Sequence, residues 1–75
     1  NYEIRVGGSN WETAELVGHS QTTNFTTFET GKGNYVYRIK ALDAAGNYSN
    51  GIIYSVRVDN PVNYVVRVVW SGTLR

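Results

Sequence analysis

Asn34–Ser49 reads NYVYRIKALDAAGNYS, and its order of apolar and polar residues decides the fold. Tyr35, Tyr37, Ile39 and Ala41 fall on one side of an extended chain, and Val36, Arg38, Lys40 and Leu42 on the other. Alternation by two is the pattern of a β-strand with one face on a core. The run ends in Asp43-Ala44-Ala45-Gly46-Asn47, where Asp, Gly and Asn tolerate the backbone angles of a tight loop.

The same period recurs on both sides of this strand. Tyr2, Ile4 and Val6 alternate with Glu3 and Arg5 until Gly7-Gly8-Ser9-Asn10 ends the run. Ala14–Val17 predicts a short second strand stopped by Gly18, and Asn24–Phe28 a third, closed by Gly31-Lys32-Gly33-Asn34. Downstream, Ile52, Tyr54, Val56 and Val58 alternate against Ile53, Ser55, Arg57 and Asp59. Asn60-Pro61 breaks that strand, because proline cannot donate to a ladder. Tyr64–Trp70 predicts a sixth, with Tyr64, Val66, Val68 and Trp70 on one face. Apolar residues nowhere recur at helical spacing. The pattern predicts an all-β, antiparallel sandwich or small barrel.

A chain of 75 residues allows one small domain, which buries only about 60% of its unfolded surface. With no cysteine and no methionine, disulfides cannot brace it, and His19 has no second strong ligand nearby for a zinc site. Stability must come from aliphatics and from six tyrosines, two tryptophans and two phenylalanines. The net charge of +1 is spread along the chain, without the basic stripe that phosphate binding requires. The longest runs free of charge and proline, residues 16–28 and 44–56, are too short to span a bilayer. No signal peptide is legible. Asn1 in place of an initiator Met predicts a piece of a longer protein.

Asn34–Ser49 resembles the F strand and F–G loop of a fibronectin type III domain, an immunoglobulin-like sandwich. The resemblance implies that Tyr35 occupies the family's tyrosine corner, its hydroxyl bonding back to upstream backbone. It also implies that Tyr35, Tyr37, Ile39 and Ala41 form the inward face of that strand. YEIRV (2–6) resembles strand C, AELVG (14–18) strand C′, TNFTTF (23–28) strand E and IIYSVRV (52–58) strand G. The wording GGS-x-W-x-x-A-x-L-V-G followed by KALDAAGNYS is similar to modules of bacteriophage tail-tip and tail-fibre proteins. Bacterial extracellular enzymes carry related modules as spacers.

The departure from the family lies at the ends. Its first two strands, A and B, have no counterpart ahead of Tyr2, while VVRVVWSG (65–72) reads like a strand B ending in Trp70. Residues 1–60 are then a core of strands C to G, and 61–75 an extra C-terminal strand. That strand either replaces strand B, within the chain or by exchange with a neighbour, or starts a following module. Uncovered, Phe25, Phe28 and the inner face of 35–41 would meet water beside unpaired strand edges, an aggregation hazard. Tyr64–Trp70 is therefore expected to pair beside the 24–28 strand, with Val66, Val68 and Trp70 inward.

Asp43 with Asn47 falls short of the six to eight oxygens calcium takes, so a plain turn is expected. His19 is expected in an exposed loop. No nucleophile elbow or paired carboxylates accompany the serines and acids, so neither catalysis nor a cofactor or metal is expected. Trp11 and Tyr48 are candidates for surface contact. They are expected at opposite poles of the sandwich, with Trp11 packed over a sheet edge and Tyr54 a strand-face packing residue. Arg38, Lys40 and Arg57 are expected to form an outward, solvated basic row with Glu3 among them.

These readings imply a non-catalytic structural or binding module of a bacteriophage tail, acting as spacer or host-surface contact. Its place would be the virion or the extracellular space. Its partners would be neighbouring modules or subunits, or a cell-surface glycan or receptor, without nucleic-acid binding or membrane insertion. The alternative is an accessory spacer module of a secreted bacterial carbohydrate-active enzyme.

Overall fold

The structure, a computed structural model, describes residues 1–29, 31–59 and 64–70. Its strands are β1 (Tyr2–Val6), β2 (Glu15–Ser20), β3 (Asn24–Glu29), β4 (Gly33–Ala41), β5 (Ile52–Val58) and β6 (Tyr64–Val69). They form a four-stranded sheet in the order β2-β1-β4-β5 and a two-stranded sheet, β3-β6. Every pairing is antiparallel. The described residues are all-β, with two antiparallel sheets facing each other as in a β-sandwich.

Alternation along β4 sets the core. Tyr37 and Ile39 are fully buried and Tyr35 packs against the same cluster, while Arg38 and Lys40 turn to the outer face. Ile4 of β1 lies opposite Ile39. Across the gap, β6 contributes Val66 and Val68, and Trp70 just beyond it closes one end. The Trp70 ring meets Tyr2 edge-to-face at 5.2 Å. Its indole N–H finds no partner among the described residues.

The pairing of β6 with β3 runs from Asn24 opposite Val69 to Glu29 opposite Tyr64, so the C-terminal strand covers β4 from within the same chain. Residues 60–63, which join β5 to β6, lie outside the described residues, as do positions 71–75.

Several sequence expectations are corrected. Phe25 and Phe28 are three apart in a strand of period two, so they cannot share a face. Phe25 packs inward, whereas Phe28 is 62% exposed. Gly18 does not stop β2, which continues to Ser20. The register steps from Ile4 opposite Gly18 to Arg5 opposite Leu16, leaving Val17 as an extra bulge residue. Gly18 is the point of close approach between the sheets, since a Cβ there would sit 3.0 Å from the Phe25 ring. Tyr54 shares the face of Ile52 and Val56 but remains exposed.

Two tyrosine hydroxyls tie β4 to the segment before it. Tyr35 donates to the Gly31 carbonyl at 2.6 Å, and Tyr37 donates to the Glu29 carboxylate. Burial, reinforced by the hydrogen bond to Glu29, pushes the Tyr37 phenol above the ordinary tyrosine range.

Candidate functional site

The outer face of the four-stranded sheet carries the most elaborate polar and aromatic cluster in the described chain. It is built on Glu3, which points away from the core yet is only 5% exposed. Glu3 lies opposite His19 of β2 on one side and Lys40 of β4 on the other. Arg5 Nε donates to Oε2 at 2.6 Å, the Tyr48 hydroxyl donates to Oε1 at 2.9 Å, and His19 Nε2 stands 3.1 Å from Oε1. Burial raises the Glu3 pKa, but hydrogen bonds from Arg5, Tyr48 and His19 outweigh it and hold the carboxyl below the ordinary glutamate range. In return the hydrogen bond to Glu3 pushes the Tyr48 phenol up.

Trp11 is laid onto this cluster by the loop between β1 and β2. Gly7 and Gly8 both have positive φ, at 78° and 69°. A Cβ on Gly8 would fall 2.7 Å from the backbone of Thr13 and Ala14, so only glycine lets the loop double back so tightly. Asn10 Oδ1 accepts from the Thr13 amide at 3.0 Å, and Thr13 Oγ1 accepts from the amides of Ser9 and Asn10. The closed turn lies over the outer face, and Arg5 Nη1 holds it there through the Trp11 carbonyl at 2.8 Å. The Arg5 guanidinium sits 4.3 Å from the Trp11 ring centroid and the Lys40 ammonium 5.1 Å from it, both within cation–π range. Tyr48 meets the same ring edge-to-face, with centroids 5.3 Å apart.

Trp11 and Tyr48 thus belong to one site, against the expectation of opposite poles. Their loops do leave opposite ends of the sheet, one from β1 after Val6 and the other from β4 after Ala41, opposite Tyr2. But five strand residues span only about 17 Å, and both loops fold inward over that distance. His19 is a β2 residue bound to Glu3, not a loop residue, and Glu3 is a nearly buried hub, not a member of a solvated row. Arg38 spends its guanidinium on the carbonyls of Gly7 and Gly8, at 3.3 and 3.2 Å. Arg57 pairs with Asp59 in the open, away from the cluster. Tyr35, Tyr37, Ile39, Ala41 and Trp70 lie on or around the inner face and take no part.

A groove of about 440 Å³ opens beside Trp11, bounded by Arg38 and Lys40 and by Ile53 on β5. Asp43 lies at the far end of the sheet, where its carboxylate accepts the amides of Ala45 and Asn47, each at 2.9 Å. Those bonds, the Asn47 amide first, hold its pKa down and make it a turn brace. Among the described residues, no group of three or more His, Cys, Asp or Glu is placed to hold a metal ion. No family model, no curated protein and no solved structure matches this chain.

Proposed function

We propose that this chain is a non-catalytic structural and binding module of a bacteriophage tail, making its external contact through the outer face of the four-stranded sheet. The observation that carries the binding part is the Trp11 platform. A large aromatic ring is fixed in place by Arg5, Lys40 and Tyr48 beside an open groove. Holding a half-exposed tryptophan this firmly lowers the entropy lost on contact, which favours recognition. A non-catalytic role is supported by Glu3, the carboxylate at the centre of the cluster. It is held charged by three partners, not poised near neutral pH as a general acid or base would be.

The fibronectin type III assignment is part of the proposal. The order β2-β1-β4-β5 over β3-β6 corresponds to C′-C-F-G over E-B, with β6 taking the place of strand B. Tyr35, with its hydroxyl on the Gly31 carbonyl, supports the tyrosine-corner reading. The tail location rests on the similarity of GGSNWETAELVG and KALDAAGNYS to tail modules.

The binding part is tested by incubating fluorescently labelled protein with a panel of bacterial cells and with isolated tail subunits. Retention on at least one surface, lost in Trp11→Ala and kept in Phe28→Ser on the opposite sheet, is the expected result. Equal retention of both variants overturns the assignment of the face. The platform also suits an accessory module of a carbohydrate-active enzyme, and the genes beside the parent gene separate the two: tail genes for the first, a glycosidase domain in the same chain for the second.

A further inference from the structure

The groove beside Trp11 has a chemistry specific enough to name a ligand class. We infer that it binds an anionic saccharide, a sugar carrying carboxylate or phosphate; the inference rests on the outer face being the contact surface.

Three observations converge. Trp11 and Ile53 give the groove apolar walls on which the C–H face of a sugar ring can lie, and Asn10 and Asn50 offer amides to its hydroxyls. A few polar groups set among aromatic and apolar walls is the usual make-up of a small-ligand site, and about 440 Å³ falls within its size range. The electrostatics are one-sided. Arg38 and Lys40 line the groove, and none of its lining residues is acidic. Neither cation has a carboxylate partner among the described residues, and the acid paired opposite Lys40, Glu3, is already engaged by Arg5, Tyr48 and His19. Arg38 is anchored by the Gly7 and Gly8 carbonyls, which fix its position without neutralising it. Two fixed, uncompensated cations beside an aromatic wall complement an anion that also presents an apolar ring face. A neutral sugar would leave both charges unused.

The experiment is an amide NMR titration of the chain with tetragalacturonate, a mannose 6-phosphate oligosaccharide, maltotetraose and a tetraglutamate peptide. The anionic saccharides are expected to bind about tenfold or more tightly than maltotetraose, the factor one charge-assisted hydrogen bond supplies. Shifts should centre on the Trp11 indole, Lys40 and Asn50. Preference between carboxylate and phosphate identifies which anion the groove is cut for. Lys40→Gln, with an unchanged melting temperature, should lose about tenfold more for the anionic saccharides than for maltotetraose. Trp11→Ala should weaken all three sugars. Equal binding of maltotetraose, equal binding of the peptide at the same residues, or shifts centred on β3 and β6 would each overturn the inference. Cell retention that depends on Trp11, with no saccharide binding, overturns this ligand class alone. Loss of both overturns the contact face as well.

Discussion

Trp11 and Tyr48 pack edge-to-face, with centroids 5.3 Å apart and planes at 64°, although their loops leave opposite ends of the four-stranded sheet. The contact joins the two loops above Glu3, to which Tyr48 also donates. Tyr48→Ala is expected to raise acrylamide quenching of Trp11, while the buried Trp70 serves as an internal reference. Quenching equal to that of the unaltered protein would show that Tyr48 does not shield the ring.

Glu3 should make stability fall with acid. In the unfolded chain it takes up its proton near 4.5, and in the fold it holds out to lower pH. Its contribution is therefore complete above that value and is lost as pH drops through the folded one. Asp43 acts in the same direction, so the comparison of interest is with Glu3→Gln. The melting temperature of the unaltered protein should drop more steeply below about pH 5 than that of Glu3→Gln. Parallel curves would contradict the hub role.

The two β4 tyrosines should differ. Tyr37 is fully buried and bonded to a carboxylate, so Tyr37→Phe is expected to cost about 1.5–3 kcal/mol. Tyr35 is half-buried and bonds an exposed carbonyl, where water replaces the hydroxyl, so Tyr35→Phe should cost about 0.5–1 kcal/mol. Urea denaturation of the pair measures the order directly; a larger loss for Tyr35 would reverse it.

Gly51 enters β5 with φ of 81°, and a Cβ there would collide with the Ile39 carbonyl. Gly51→Ala is expected to cost about 1–3 kcal/mol through backbone strain. In Ile39→Ala the neighbouring strand β4 loses core volume instead, at about 2–5 kcal/mol. Thermal melts of both test whether the β4–β5 edge is built this tightly.

β1, β4, β5 and β6 are legible because each carries its own period-two pattern, β4 most clearly and β6 down to the inward Val66 and Val68. The cover on β4 was legible from need, since Tyr37 and Ile39 require a partner sheet. The site was half legible. Trp11 and Tyr48 stood out as residue types, but their meeting depends on how Gly7 and Gly8 fold the first loop back, which no periodicity records. Glu3 misled for the same reason. Its alternation marks it as outward, yet outward means solvated only where no loop lies on top. Phe28 stands three residues from Phe25, so strand parity alone puts it on the opposite, exposed face.

The fold depends most on β6 closing the sandwich within one chain, and amide hydrogen exchange on a monomer verified by sedimentation tests this most directly. The ladder amides of Tyr64–Val69 should be protected to the same degree as those of Tyr37 and Ile39. Val68→Asp, which buries a charge in the core, should abolish protection in both sheets together. Free exchange along β6 while β1 and β4 stay protected, or a folded and soluble protein truncated after Asn60, would contradict it.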